Sequence, residues 1–389
     1  MPIAFAKTRL PVLHAGTNKA TITDGKHFTT AWQLDPKARP DTYYVNVPRR
    51  QSVVTFQTDK GKLRFTTRFG QHYDFLVLTQ AQDTCHVRIS ATDEPGVRQA
   101  QSTRSAPDTI PFTLKGARAY VTGQLNGAHP VTIQLDLGAG GTVVNKMAAD
   151  KLALRFDSKT VVTNSQGTNE ARGSLGNTLT IGRLHWQNLP ITEVGNMNAD
   201  EDLIIGNYLF REKVIELDYD RKLLIVADKL PQKARSYTAQ PVIYEQSRPS
   251  FEVTIRHAGQ SFAGWFEFDT GRDGTMLLGK DFTRQRDNWT KLQPLMTLPD
   301  GRKIVRLDAT IGGVEISDIV TNAADPAGPV SRPTLFGNQV LNHFNLLLDN
   351  QQGRLYLKPN GRQNEPYADY QRYLRDVQDS RKGDAKQKQ

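Results

Sequence analysis

The sequence predicts an all-β protein in three folded parts: an N-terminal β-sandwich-like domain (residues 1–105) and two β-rich lobes that repeat one another (106–232 and 233–360). A charged C-terminal tail (361–389) follows. Three observations carry this. Short runs rich in Val, Phe, Tyr and Thr alternate with Gly, Pro and Asp-Lys turns. Helical periodicity is scarce. A pattern around Asp136 returns around Asp269.

The N-terminal part supplies the first observation. "YYVNVP", "SVVTFQT", "KLRFTTRF" and "YDFLVLT" read as short strands, and "TDKGK" (Thr58 to Lys62) as a hairpin turn between two of them. Short strands at this spacing suggest an antiparallel sandwich or small barrel. Residues 91–108 turn polar and contain proline, which reads as a linker. "NKMAADKLAL" is one short helical pattern, with Asn145 as its N-cap. "YADYQRYLRDV" opens the tail as a helix, and "RKGDAKQKQ" is expected to be disordered.

Composition bounds the function classes. The 389 residues are 38% hydrophobic and 23% charged, enough for several cores in a loop-rich globular protein. The net charge is +10, but the Lys and Arg residues are dispersed, and no Arg-rich helix or aromatic-basic motif points to nucleic acid. No apolar run reaches the length of a membrane span. Cys85 is the single cysteine, so internal disulfides are excluded; it reads as a half-buried strand residue. The opening "MPIAFAKTRLP" does not read as a signal peptide, so either the protein stays inside or a leader is absent from this chain.

The repeat is long. "VTIQLDLGAGGTVVN" and "WFEFDTGRDGTMLLG" align Asp136 with Asp269, Gly138 with Gly271, Gly141 with Gly274 and Thr142 with Thr275. Downstream, "LIIGNYLFREKVIELDYDRKLLIV" and "TLFGNQVLNHFNLLLDNQQGRLYL" both give two apolar residues, Gly-Asn, a short amphipathic stretch, an apolar strand ending in Asp, and a hairpin return. Asp136 to Gly206 and Asp269 to Gly337 are nearly equal spans, and Asp218 and Asp349 follow their Gly at the same distance. A duplicated domain explains this; a lone turn motif does not. Asp218 and Asp349 end strands before hairpins and read as turn acids.

Each half resembles a lobe of the retropepsin-like and pepsin-like aspartic proteases. The resemblance rests on Leu135-Asp136-Leu137-Gly138 with Ile204-Ile205-Gly206, and on Phe268-Asp269-Thr270-Gly271 with Leu335-Phe336-Gly337, and it covers roughly residues 120–359. It implies a bilobal pepsin-like (duplicated retropepsin-like) fold with the cleft between the lobes. It also implies a flap hairpin in each half, fitting 163–177 and 297–308, the latter with Asp300-Gly301 as its turn. The N-terminal domain looks like the β-rich leader of some exported bacterial proteins with such lobes. That implies a periplasmic or cell-surface location, with a leader absent from this chain.

Peptide hydrolysis needs an activated water and a polarised carbonyl. Two carboxylates a few ångströms apart provide both without a metal or other cofactor. They cannot both ionise at that distance, so they share a proton; the aspartic-protease dyad is the standing example of the effect. On the resemblance, Asp136 and Asp269 are the catalytic pair of an aspartic-type endopeptidase, acting as a monomer on a peptide or protein. Two departures bear on this. Leu137 replaces a hydroxyl residue, so Thr270 is expected to lose its partner across the lobes, and an unsatisfied buried hydroxyl costs about 1–3 kcal/mol. Arg272 stands where the family has a small residue. It either holds the neighbouring carboxylates ionised, ion-pairs with Asp273, or turns to solvent.

Other chemistries lack a signature. There is no His-Glu-x-x-His, cysteine pair or histidine cluster for zinc, no Gly-x-Ser-x-Gly elbow and no phosphate loop. His129, His185, His257 and His343 read as structural or surface residues, and "NWT" at Asn288 is a glycan acceptor only in a eukaryotic secretory setting. Two rivals to hydrolysis remain. In one the cleft binds an extended peptide by strand addition without turnover. In the other the N-terminal domain carries the function through an exposed patch.

Overall fold

The structure, a computed structural model, describes residues 10–25, 28–37, 40–45, 52–68, 70–80, 83–91, 98–99, 106–127, 129–152, 154–164, 167–245, 247–285, 287–328 and 333–375. Much of the expected linker and the end of the tail lie outside these residues. The chain divides into two compact units: Met1–Pro95 with Ile243–Glu245, and Gly96–Val242 with Gln246–Gln389.

In the first unit, two four-stranded sheets enclose one core. One orders Val12–Ala15, His72–Thr79, Thr84–Ser90 and Asp41–Tyr44; the other orders Phe28–Gln33, Lys19–Asp24, Ser52–Gln57 and Lys62–Thr67. The expected turn at 58–61 closes the hairpin of the last two strands, with the Thr58 amide donating to the Gly61 carbonyl. Ile22, Val54, Phe56, Phe75, Val77 and Val87 are fully buried between the sheets. Cys85 is fully buried too, and burial pushes its thiol up, away from the reactive thiolate.

The second unit holds both repeats. The first lobe is a nine-stranded sheet curled on itself, because Arg118–Leu125 pairs with His129–Leu135 on one side and with Gly167–Ile181 on the other. In the second lobe Arg248–His257 likewise pairs with both Gln260–Asp269 and Lys303–Ile311. The strands Val214–Asp218 and Phe344–Asp349, equivalent in the repeat, lie side by side antiparallel, Ile215 opposite Leu348. Their hairpin partners Leu223–Ala227 and Arg354–Pro359 flank them. Every residue of these two central strands is buried, which is why "VIELD" and "FNLLLD" read as continuous runs and not as alternation.

Both hairpins implied by the resemblance are present. Ser158–Asn164 pairs with Gly167–Ile181, and Met296–Thr297 with Lys303–Ile311. Gly301 takes the left-handed turn conformation (φ 84°). Asn145 caps the short helix Lys146–Ala149 through the Met147 amide, as its position predicts. The tail's helix spans 368–375. Asp218 accepts from the Arg221 amide and Asp349 from the Gln352 amide, the geometry of turn acids. The Asn288 amide is buried and donates to the Phe282 carbonyl, so that site is closed to a glycan.

Candidate active site

The same three-strand device presents each acid. In the first lobe, Leu203–Ile205 lies parallel to His129–Leu135, the strand leading into Asp136, and antiparallel to Thr142–Asn145, the strand leading away. In the second, Leu335–Gly337 lies between Gln260–Asp269 and Met276–Leu278 in the same senses. The turn carrying the acid therefore sits over the glycine that ends or follows the middle strand. A Cβ on Gly206 would fall 2.0 Å from the Ala139 carbonyl oxygen, and one on Gly337 2.3 Å from that of Gly274. Only glycine permits this approach of backbones.

The turns also bring the acids to one another. The Asp136 and Asp269 carboxyls lie close enough to couple electrostatically, and both residues line one cavity of about 1250 Å³ between the lobes. Each turn glycine packs against the opposite lobe's acid. A Cβ on Gly271 would lie 2.3 Å from the Asp136 carboxyl carbon, and one on Gly138 would lie 3.2 Å from the Asp269 Cα. Within the turns, the Gly138 amide donates to Asp136 Oδ1 and the Arg272 amide to Asp269 Oδ1, each at 2.9 Å.

The pair is electrostatically unequal. Burial raises Asp136 well above the usual carboxylate range, reinforced by the charges of Asp269 and then Glu267. Burial also raises Asp269, but the Arg272 guanidinium and the Arg272 and Gly271 amides oppose it. The two acids therefore titrate as a pair, and the Arg272 charge acts against the shared proton sitting on Asp269. Arg272 does not hold the two carboxylates ionised as one reading expected: both are raised by burial, and Arg272 only opposes the rise at Asp269. Asp273 accepts from the Ala117 amide (2.9 Å), and an Arg272 Nη2 reaches the Met276 carbonyl (3.3 Å).

The expectation that Thr270 loses its partner is overturned. Thr270 is fully buried; its hydroxyl accepts from the Leu137 amide and donates to the Leu135 carbonyl, both at 2.9 Å. Backbone groups of the first lobe satisfy it, so the side chain at 137 need not be polar. One of the two possible hydroxyl arms thus ties the lobes, and the buried Leu137 packs in place of the other.

Several residues of the site escape a reading of motifs. Gln134 and Glu267 stand two positions before their acids, and the period of a strand puts them on the acids' own face. Gln134 Nε2 donates to the Gly271 carbonyl (3.0 Å), while Glu267 lines the cavity with Arg248 at 3.7 Å. Arg118 Nε also donates to the Gly271 carbonyl (2.9 Å), and its Nη1 lies 3.5 Å from the buried Glu201. Glu201 is held by the Tyr120 hydroxyl and by Asn198. Each Gly-Asn is clasped by the residue after the other lobe's strand-terminal acid. Asn207 and Asn350 exchange amide hydrogen bonds of 3.0 Å, and the Tyr219 hydroxyl donates to Asn338 Oδ1 at 2.7 Å. The aligned Asn residues were visible in the repeat; their partners were not.

His257 and His343 serve structure. His257 Nδ1 donates to the Arg306 carbonyl and its Nε2 accepts from the Gln293 amide, both at 2.8 Å. His343 stacks on Tyr367, and burial lowers it to about 4, so it is neutral near pH 7. Among the described residues no cluster of His, Cys, Asp or Glu is placed to hold a metal ion. Within them no helix is long and apolar enough to cross a membrane.

Comparison with known proteins gives one family match and a similarity to a solved structure. Residues 121–209, from within the strand Arg118–Leu125 to the turn after Gly206, match the aspartyl protease family. No curated protein matches the chain. Among solved structures, the crystal structure of the aspartic proteinase from Irpex lacteus is similar with a TM-score of 0.47 and 15% identity, over 67% of this chain and all of that one. The matched segment of the first lobe is thus similar to the aspartyl protease family, and the second lobe repeats its three-strand device around Asp269 in an all-β architecture.

Proposed function

We propose that the chain is an aspartic-type endopeptidase in which Asp136 and Asp269 activate water for attack on a peptide bond. The observation that carries this reading is the placing of two carboxyls, one from each lobe, in one cavity with Gly271 packed against Asp136 and Gly138 against Asp269, while neighbouring charges bias the pair in opposite senses. Asp269, whose ionised form the Arg272 charge favours, takes a proton from a water bound between the acids. Asp136, kept protonated by burial and by Glu267, donates to the carbonyl oxygen as the tetrahedral intermediate forms. The proton gained by Asp269 then passes to the amide nitrogen as the C–N bond breaks, and Asp136 recovers its proton from the collapsing diol. Atoms and protons balance, and the chemistry itself draws on no other group. Both acids come from one chain, so we take the monomer to be the working unit. The substrate is a peptide or protein segment lying in the cavity, flanked by Met296, Leu298 and Ile304 of the second-lobe hairpin.

The rival reading, a cleft that binds peptides without turnover, draws on Arg272 and on the missing hydroxyl at 137. The second ground is weakened by the bonds Thr270 makes to the first-lobe backbone. A peptide-library digest over a range of pH, comparing the parent with Asp136→Asn and Asp269→Asn, decides between the two readings. Hydrolysis present in the parent and absent from both variants is expected. Peptide binding without cleavage in all three selects the rival.

A further inference from the structure

We propose that helix 368–375 is a wall of the substrate cleft and that Arg372, on it, selects an acidic side chain of the substrate; this rests on the endopeptidase reading above. The two lobes differ at this place. In the first lobe Thr142 shares a hydrogen bond with the Tyr208 hydroxyl (2.5 Å), and a Cβ on Gly141 would meet nothing within 4 Å. In the second lobe the equivalent of Tyr208 is Gln339, and the helix takes up the vacant role. Asp369 Oδ2 accepts from the Thr275 amide (3.0 Å), and the Asp369 amide donates to Gln339 Oε1 (3.1 Å). A Cβ on Gly274 would lie 3.3 Å from Asp369 Oδ2.

Two further contacts hold the helix. Tyr367, which precedes it, is buried against His343 with ring centroids 4.8 Å apart, and the Arg306 guanidinium lies over the Tyr370 ring at 5.3 Å. Arg306 belongs to the second-lobe hairpin strand Lys303–Ile311. The helix is thereby fixed both to the turn that carries Asp269 and to the hairpin. Asp369, Arg372 and Tyr373 line the same cavity as the two acids.

The chemistry of the wall follows from which groups are already engaged. Asp369 accepts from the Thr275 amide and Asp273 from the Ala117 amide, so the acids here are occupied by backbone donors. Arg372 is 65% exposed, and its partner Asp369 stands 3.5 Å away. A guanidinium carries five N–H donors, and one long ion pair leaves most of them directed elsewhere. A carboxylate on a peptide in the cavity supplies the planar acceptor that this donor set fits.

The test uses the full chain with Arg372→Glu and Asp369→Ala. For peptides differing only in Asp, Gln or Lys at successive positions, the parent is expected to prefer Asp at one position. Arg372→Glu is expected to invert that preference by about three- to tenfold each way, through KM and not kcat, as a partly exposed ion pair allows. Asp369→Ala is expected to speed hydrogen exchange at the Thr275 amide, a readout independent of turnover. If the parent cleaves and Arg372→Glu leaves its profile unchanged, the inference fails while the endopeptidase reading stands. If the parent binds the same peptides without cleaving them, that reading fails, and the binding preference, lost in Arg372→Glu, still supports the wall. A parent with no acidic preference in either measurement overturns the inference, as does unchanged exchange in Asp369→Ala.

Discussion

The two lobes share a backbone device and differ in nearly every side chain that touches the chemistry. Position −2 from the acid is Gln134 in one and Glu267 in the other; position +1 is Leu137 against Thr270; position +3 is Ala139 against Arg272. The first lobe reaches across with uncharged or backbone groups: Gln134 and the Leu137 amide. The second lobe contributes the charges that bias the pair, Glu267 toward Asp136 and Arg272 toward Asp269. A symmetric scaffold brings two identical carboxyls together, and the proposed mechanism needs them in unequal surroundings, one as acid and one as base. The substitutions between the repeats supply that inequality.

The comparison is broken most directly at the acids. Asp136→Asn and Asp269→Asn are each expected to lower kcat by about 10³-fold or more, since each removes one partner of a proton transfer. The double variant is expected to be little worse than either single one, because the two act as a unit. Single-turnover cleavage of a peptide checks this. A double variant whose loss is the product of the single losses would mean that the acids work independently. The structure also predicts a change in stability. Asp136 is raised in the folded state, so the folded form is favoured while the group is protonated and loses that advantage as pH rises through the raised value. Asp136→Asn, which mimics the protonated form, is therefore expected to raise the Tm near neutral pH and to lose its lead over the parent as pH falls. Thermal unfolding at several pH values measures it.

Next in size is the single hydroxyl arm. Thr270→Val leaves the Leu137 amide and the Leu135 carbonyl buried without a partner and is expected to cost about 2–4 kcal/mol. Thr270→Ser keeps both bonds and is expected to stay within about 1 kcal/mol of the parent. Urea denaturation of the two variants separates these outcomes. Equal stabilities would mean that the arm contributes nothing to joining the lobes.

Thr270 also marks the limit of what the sequence discloses. Asp136, Asp269, Gly206 and Gly337 were legible because a close backbone approach and an acid in a turn each demand one residue type, and the repeat gives that demand twice. The partner of Thr270 was not legible. A hydroxyl can be satisfied by any backbone group brought near it, and that depends on pairing between distant segments. Glu267 was discoverable from strand period alone, two places before Asp269, but its proximity to Asp136 needed the other lobe. Arg118 and Glu201 carry no repeated motif, so nothing local set them apart from surface charges.

A finer test of the inequality comes from the flanking charges. Activity needs one proton on the pair, so the alkaline limb of kcat/KM follows the upper step of its titration and the acid limb the lower. Glu267→Gln removes the negative charge that helps hold Asp136 up, so the alkaline limb is expected to move to lower pH by about half to one unit. Arg272→Met removes the positive charge that holds Asp269 down, so the acid limb is expected to move to higher pH by a similar amount. The two variants narrow the active range from opposite sides. If both limbs move together in either variant, the assignment of one charge to each acid fails.

The smallest expected effect tests the clasps, where the two lobes again solve one problem with different side chains. Asn207 exchanges two hydrogen bonds with Asn350, whose amide also reaches the Phe210 carbonyl at 2.8 Å. Asn338 receives one hydrogen bond from Tyr219. Tyr219→Phe removes one neutral donor and keeps the ring that packs edge-on against Phe112, so its expected cost is about 1 kcal/mol. Asn350→Ala leaves both polar ends of Asn207 short of their partner and opens a small void, and is expected to cost about twice as much. Denaturant midpoints for the two variants rank the clasps. A Tyr219→Phe cost equal to that of Asn350→Ala would mean that the phenol bonds its Asn as firmly as the paired amides bond each other, and the asymmetry between the lobes would then be confined to the acids.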